Sequence, residues 1–154
     1  MRQFIIDGSS KGIAMGAGVV EVNGLGFLKT HTLQTFHLKA DATLAEIYAF
    51  DCALQLIQQK GNAERIFEIY SDHKLVHKLF NKSLDELTND LYIDNIKKQV
   101  ALIKKFAKFE LRYTDESVKH YAKMAHLLSR EYMMDPLTER IIKQSESLKM
   151  NIVN

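Results

Sequence analysis

The sequence is organised around one stretch, Arg2-Gln3-Phe4-Ile5-Ile6-Asp7-Gly8-Ser9-Ser10-Lys11-Gly12. Its apolar run is typical of a buried strand, and the run ends in a single acid followed by a glycine-bracketed turn. A buried strand that carries a carboxylate to its own C-terminal end indicates a metal or phosphate site. This hypothesis requires that other acids, distant in sequence, reach the same place.

Length and composition indicate one globular domain with a core. The chain has 154 residues, of which 46% are hydrophobic and 26% charged, and it shows no repeat or low-complexity segment. Cys52 is the only cysteine, which excludes internal disulfides and cysteine-based zinc sites and favours a reduced compartment. We find no signal peptide and no apolar run of about 18 residues that could span a membrane. We therefore expect a soluble, cytoplasmic protein.

The net charge is only +2, but its distribution is uneven. Five lysines lie within twelve residues that contain no acid: Lys97, Lys98, Lys104, Lys105 and Lys108. A basic face on a nearly neutral protein fits a polyanion that is contacted at one place. The helix dipole offers an equally good explanation, because Asp90 and Asp94 open this segment and the lysines close it.

The spacing of apolar residues and glycines predicts the secondary structure. Six of the seven glycines lie before residue 27, and they separate three predicted antiparallel strands at 2–8, 16–23 and 26–37, with Asn23-Gly24 as a tight hairpin. A helical period follows from Thr43 to the stop at Gly61-Asn62. The run 66–70 reads as a fourth strand, and it too ends in an acid, Asp72.

The second half of the chain is predicted to be mostly helical. We expect helices at 74–80, 88–107, 118–132 and 136–149, with an N-cap candidate at Ser83, and a fifth strand at 109–113. Asp135-Pro136 starts the tail helix. The pattern predicts an α/β or α+β domain with a mixed five-stranded sheet. Because the helix after strand three is a crossover, strands one and four should lie side by side, with Asp7 and Asp72 at the same edge.

Glu46 is the third acid of interest, in the first turn of the first helix. Thr43-x-x-Glu46 also matches a capping box, which would make Glu46 a simple helix-start residue. Asp7 and Asp72 have an equally plain explanation, since acids often end strands at turns. The joint occurrence of the three acids in this order is what favours a site.

Several motifs recur together in the order of one known arrangement: Asp7-Gly8-Ser9, Lys11-Gly12, Gly16-x-Gly18, Ala45-Glu46 and Tyr70-Ser71-Asp72. In these motifs the chain resembles the ribonuclease H family, specifically the type 1 enzymes, over roughly residues 1–130. The resemblance implies an α/β, ribonuclease H-like fold, with a catalytic domain at 1–132 and a C-terminal helical extension at 133–154. It also implies that Asp7, Glu46 and Asp72 are catalytic and hold two divalent metal ions.

The chain departs from this family at two positions. The family commonly has Ala-Asp, one residue, Leu, then Ala or Ser, and here the match is Ala125-His126-Leu127-Leu128-Ser129. His126 therefore stands where the fourth catalytic and metal-binding acid is expected. It is either the fourth ligand or a side chain that faces solvent or stacks in the helix, in which case the fourth acid is lost or is supplied by Asp115 or Glu116. Many members also carry an Asn pair where this chain has Ala42-Thr43.

The resemblance implies further contacts to substrate. Gly8, Ser9 and Thr43 would contact the RNA strand, His73 the substrate backbone, and Lys97 and Lys98 the DNA strand. His120 is a candidate for proton transfer or product release, or an exposed histidine without a role. His73 and His77 are one helical turn apart, as in zinc-binding helices, but the sequence offers no further soft ligands nearby.

The resemblance implies an endonuclease that cuts the RNA strand of RNA–DNA hybrids and leaves 5′-phosphate and 3′-hydroxyl ends. Two metals about 4 Å apart would serve the two ends of the displacement. Carboxylates suit Mg²⁺, whereas a nitrogen ligand is better accepted by Mn²⁺, so a preference for Mn²⁺ is our hypothesis. The alternatives are a related nuclease acting on branched DNA and a catalytically impaired nucleic-acid-binding module. We expect a monomer, or a dimer through the C-terminal helix.

Overall fold

The computed structural model describes residues 1–59, 65–81 and 90–153, with side chains up to residue 148. The predicted N-cap Ser83 and the predicted helix start at 88 lie outside these residues. Five helices are described: α1 (Ala42–Gln59), α2 (Lys74–Asn81), α3 (Leu91–Phe106), α4 (Lys119–Ser129) and α5 (Pro136–Val153).

The predicted mixed five-stranded sheet is confirmed. Its strands are β1 (Arg2–Lys11), β2 (Ala14–Val22), β3 (Leu28–Phe36), β4 (Ile66–Tyr70) and β5 (Lys108–Arg112), in the spatial order β3-β2-β1-β4-β5. The β1–β2 and β2–β3 pairs are antiparallel, and the β1–β4 and β4–β5 pairs are parallel. Strand β1 therefore lies beside β4, as the crossover argument requires.

Helices cover both faces of the sheet and enclose two apolar clusters. Phe4 and Ile6 of β1 join the larger cluster with α1, α2 and α3, whereas Ile5 joins the cluster under α4. Burying side chains of this size contributes about 1.5–3 kcal/mol each. Because strand residues alternate between faces, Asp7 follows Ile5 onto the side that α4 covers.

Two predicted local features are wrong. The β2–β3 connection is a loop of residues 23–27 rather than a two-residue turn at Asn23-Gly24. The Asn23 side chain accepts hydrogen bonds from the backbone N–H groups of Leu25 and Phe27, and Gly26 adopts φ +85°. The cap of α1 is Asp41, whose Oδ1 accepts from the N–H of Leu44 at 2.7 Å. The Thr43 capping box is therefore not the reason for an acid at position 46.

The predicted helix 118–132 is shorter than expected. Helix α4 ends at Ser129, and 3₁₀ turns at Glu116–Val118 and Glu131–Met134 flank it. The chain must leave the helix before Pro136, because the residue before a proline avoids the helical region. Asp135 is indeed extended, with φ −71° and ψ 128°.

Helix α5 packs on the sheet through its first turns. Ile142 forms a small buried cluster with Ala14 and Met133, and the buried Thr138 exchanges hydrogen bonds with the Gln34 side chain on β3. The predicted start at Asp135-Pro136 is confirmed, since Asp135 accepts from the N–H of residue 137. The division at residue 132 into a catalytic domain and an extension stays a prediction. Within the described residues, none of the helices is both long and apolar enough to cross a membrane.

Candidate metal centre

Four of the residues singled out from the sequence line one cleft of about 790 Å³: Asp7, Glu46, Asp72 and His126. Asp7 comes from β1, Glu46 from the first turns of α1, Asp72 from the segment after β4, and His126 from α4. The Asp72 carboxylate accepts a hydrogen bond from the N–H of Thr114 at 2.9 Å, which fixes it against the segment after β5. Four distant segments of the chain thus meet at one edge of the sheet.

The carboxylates of Asp7 and Asp72 act on the protonation of Glu46. Burial, the charge of Asp7 and a hydrogen bond to Asp7 raise the pKa of Glu46 from 4.5 to about 8. The charge of Asp72 acts in the same direction, while the backbone N–H of Gly8 donates to Glu46 and opposes the rise. Two carboxyl groups that share a site resist simultaneous ionisation. A cation placed between them would remove this resistance.

His126 points into the cleft. Its Nδ1 lies 2.6 Å from Oδ2 of Asp7, and its side chain keeps 54% exposure while that of Asp7 keeps 26%. One oxygen of Asp7 is therefore held by α4, and the Asp7 side chain also meets Glu46. Asp7 is the centre of the cluster, in contact with a neighbour on either side.

The close approach of α4 to the sheet positions His126. A Cβ on Gly18 would lie 2.0 Å from the carbonyl oxygen of Ala125, and one on Gly16 would lie 1.9 Å from that of Ser129. The Ser9 hydroxyl donates to the Ser129 carbonyl at 2.7 Å. The Thr32 hydroxyl donates to the carbonyl of residue 128 at 2.6 Å. The sheet therefore donates hydrogen bonds to carbonyl groups in the last turn of α4.

Gly8 plays the same part for α1. A Cβ at this position would lie 2.2 Å from the carbonyl oxygen of Ala45 and 2.8 Å from the nitrogen of Glu46. The first turns of α1 thus rest directly on the β1 backbone. The glycine after Asp7 is what allows Glu46 to reach Asp7.

The donor set fits a hard divalent cation. Carboxylate oxygens from three elements are the ligands that Mg²⁺ and Mn²⁺ take in proteins, and the raised pKa of Glu46 marks a place where negative charge is crowded. Among residues 1–59, 65–81 and 90–153, however, no three His, Cys, Asp or Glu side chains already stand grouped to hold one ion. Glu46 and His126 each contact Asp7.

The other predicted site residues lie in the cleft, at the start of α1, on α4 and on β1. His73 lines the cleft, and its Nδ1 accepts from the N–H of Leu75. Thr43 is half-buried at the start of α1, and His120 is exposed with its ring 3.8 Å from that of Tyr121. Gly8 and Ser9 make the backbone and helix-end contacts described above.

Two alternatives raised from the sequence lack structural support. Asp115 and Glu116 do not line the cleft, and Asp115 caps the 3₁₀ turn by accepting from Ser117, which lowers its pKa. The buried His77 bonds through Nε2 to the Ser71 carbonyl at 2.7 Å and stacks on a tyrosine ring. His77 is thereby committed to structure and does not form a zinc pair with His73.

The basic segment of α3 does not form one continuous surface. Lys97 is only 3% exposed, on the side of α3 that packs inward. Lys104 donates to the carbonyl of Phe80 and lies over its ring at 4.0 Å, and burial lowers its pKa. Lys98 is exposed. A surface contact to a nucleic acid strand is therefore open to Lys98 and not to Lys97.

Two cleft residues were missed from the sequence. Lys119 and Lys123 of α4 line the cleft with His126. Their positions at intervals of four and three residues place them on one helical face. This spacing is the sequence signal that indicates a shared face.

Comparisons with known proteins agree with this architecture. The model of the family described as "Reverse transcriptase-like" matches residues 6–131. The chain belongs to this family, and its fold is ribonuclease H-like. No curated protein gives a significant sequence match.

Solved structures with this fold are similar to the reverse transcriptase-like chain over most of its length. Ribonuclease H1 from Halobacterium salinarum is 21% identical, with a TM-score of 0.67 over 87% of this chain and 98% of that one. LC11-RNase H1 in complex with an RNA/DNA hybrid is 17% identical, with a TM-score of 0.58. The match covers 81% of this chain and 93% of that one. The protease–reverse transcriptase of prototype foamy virus is 17% identical, with a TM-score of 0.65 over 84% of this chain and 20% of that one.

Proposed function

We propose that this protein is a metal-dependent endonuclease that hydrolyses the RNA strand of RNA–DNA hybrids and leaves 5′-phosphate and 3′-hydroxyl ends. The observation that carries the proposal is the meeting of Asp7, Glu46 and Asp72 in one cleft, each from a different element. Family membership supports it, as does the complex of one similar protein with an RNA/DNA hybrid. A cytoplasmic location remains our expectation.

Asp7, Glu46 and Asp72 would hold two divalent metals, with His126 as the fourth ligand. When bound, these ions supply an activated water and stabilise the departing 3′ oxygen. Glu46 must first lose its proton, because ligating carboxyl groups bind metals in their deprotonated form. Asp7 receives a hydrogen bond from Glu46 on one side and contacts His126 on the other, so it orients both side chains toward the cleft.

His126 gives the site a distinctive metal preference in this proposal. Exchanging a carboxylate for an imidazole removes one negative charge and adds a nitrogen donor. Mn²⁺ accepts nitrogen ligands more readily than Mg²⁺ does. We therefore expect activity with both ions and a preference for Mn²⁺, which a titration of cleavage against each metal measures. Stronger activity in Mg²⁺ at every concentration would contradict the preference.

Substrate recognition would depend on shape. An A-form-like hybrid presents 2′-hydroxyl groups in a wide minor groove, and proteins read these rather than base edges. Sequence preference should therefore be weak. Gly8, Ser9 and Thr43 are the candidate contacts to the RNA strand, and His73 in the cleft is a candidate contact to the substrate backbone. The exposed Lys98 is a candidate contact to the DNA strand.

The proposal is tested by comparing the wild type with Asp7→Asn on a hybrid, on duplex DNA and on branched DNA. Glu146→Gln on the exposed face of α5 is the matched control, since it also converts an acid to an amide. We expect metal-dependent cleavage of the RNA strand by the wild type and by the control, and none by Asp7→Asn. Cleavage of branched DNA without RNA would indicate a resolvase-like nuclease. Binding of the hybrid without cleavage would indicate a non-catalytic module.

A further inference from the structure

We propose that Lys119 and Lys123 form a phosphate-binding wall in the cleft that the carboxylates line, and that this wall holds the nucleic acid strand next to the position of cleavage. Both residues line the cleft together with Asp7, Glu46 and Asp72. The inference rests on the proposed function in one respect only, namely that the ligand is a nucleic acid strand.

The geometry of α4 separates a buried side from a cleft side. Val118 and Ala125 are buried in the cluster beneath the helix, which directs the opposite flank outward. Lys119, Lys123 and His126 follow one another at helical spacing and line the cleft. The cleft is therefore lined by acidic side chains from β1, α1 and the segment after β4, and by basic side chains from α4.

The charges of this wall are available to a ligand. Lys119 meets Glu116 at 3.8 Å, with side-chain exposures of 61% and 91%, and such exposed pairs contribute little to stability. Lys123 is exposed, and within the described residues no ion pair to it is found. By contrast, Lys104 on α3 is engaged with Phe80. An ammonium without a strong partner can exchange its counterion for a phosphate.

Electrostatics requires such a wall. The carboxylate charge of the cleft repels the polyanion that must enter it, and no bound cation offsets this repulsion before metal ions bind. Two ammonium groups at the same cleft offset this repulsion and attract the strand independently of metal. Because lysine binds phosphate as a point charge, the wall should read the backbone and not the base sequence.

Binding of a fluorescein-labelled RNA–DNA hybrid in EDTA tests the inference without cleavage. Release of one counterion at 0.15 M salt corresponds to roughly a fivefold change in Kd. Lys119→Ala and Lys123→Ala should each raise the Kd by about this factor. Each should also lower the slope of log K against log salt by about 1. Lys123→Arg should restore the wild-type slope.

Lys143→Ala is the matched control, because Lys143 also pairs with a nearby glutamate, Glu139 at 3.7 Å, on an exposed helix face away from the cleft. Far-UV circular dichroism verifies that each variant is folded. The inference is overturned if Lys119→Ala and Lys123→Ala change Kd and salt slope no more than this control, or if the wild type does not bind the hybrid in EDTA. Failure of the nuclease proposal appears separately, as absence of cleavage when metal is added.

Discussion

Replacing Gly8 by alanine should damage the site through the backbone of α1. The added Cβ would lie 2.2 Å from the Ala45 carbonyl oxygen, whereas ordinary contacts begin at 3.4 Å. The start of α1 must therefore move by about 1 Å, which is the size of misplacement that can cost on the order of 100-fold in rate. Overpacking of this kind also costs about 1–3 kcal/mol of stability.

Urea unfolding and hybrid cleavage at saturating substrate measure the two effects. Gly24→Ala is the control, because its Cβ would meet only the Met1 backbone, with the carbonyl oxygen at 3.3 Å and the nitrogen at 3.6 Å. We expect Gly24→Ala to retain stability within about 0.5 kcal/mol and to retain wild-type kcat. If Gly8→Ala unfolds at the wild-type urea midpoint and cleaves at the wild-type rate, the contact between β1 and α1 does not position Glu46 as we describe.

Three further predictions concern protonation, the tail helix and metal choice. In EDTA the folded protein holds a proton on Glu46 up to about pH 8, whereas the unfolded chain releases it near pH 4.5. The free energy of unfolding should therefore fall as the pH rises from about 4.5 to about 8. In urea titrations, Glu46→Gln should remove that fall. Ile142→Ala should cost about 2–5 kcal/mol because the side chain is buried, while the exposed Leu148→Ala should stay within about 0.5 kcal/mol. His126→Asp should shift the Mn²⁺/Mg²⁺ activity ratio toward Mg²⁺.

An unchanged pH slope in Glu46→Gln would mean that Glu46 is not the group that holds the proton. Equal stability of Ile142→Ala and the wild type would show that α5 does not pack on the domain. An unchanged metal ratio in His126→Asp would mean that His126 does not influence the choice of metal.

The strand order was predictable from local signals, whereas the choice of the three acids rested on their joint pattern and the family resemblance. The hydrophobic period changes from strand to helix at Thr43, and this helix is the crossover between β3 and β4. The crossover places β1 beside β4, which brings Asp7 and Asp72 together. Helix ends were harder to predict. Asp41 and Thr43 are both acceptable caps, and only the tertiary position of α1 decides between them.

The remaining features depend on packing between distant segments. Gly16 and Gly18 resemble hairpin glycines in the sequence, yet their role is to admit the α4 backbone. Lys97 belongs to a basic run but faces the core, because the apolar face of α3 extends to include it. The contact between Asp7 and His126 joins residues 119 positions apart, which no periodicity could reveal.

We propose that Asp7, Glu46 and Asp72 hold catalytic metal ions. Crystals soaked in Mn²⁺ and measured at the manganese absorption edge test it most directly, because anomalous density locates the ions without reference to activity. We predict two anomalous peaks in the cleft, contacted by these three carboxylates, with His126 ligating one of them. A map without a peak between Asp7 and Glu46, at Mn²⁺ concentrations that support cleavage, would contradict the account.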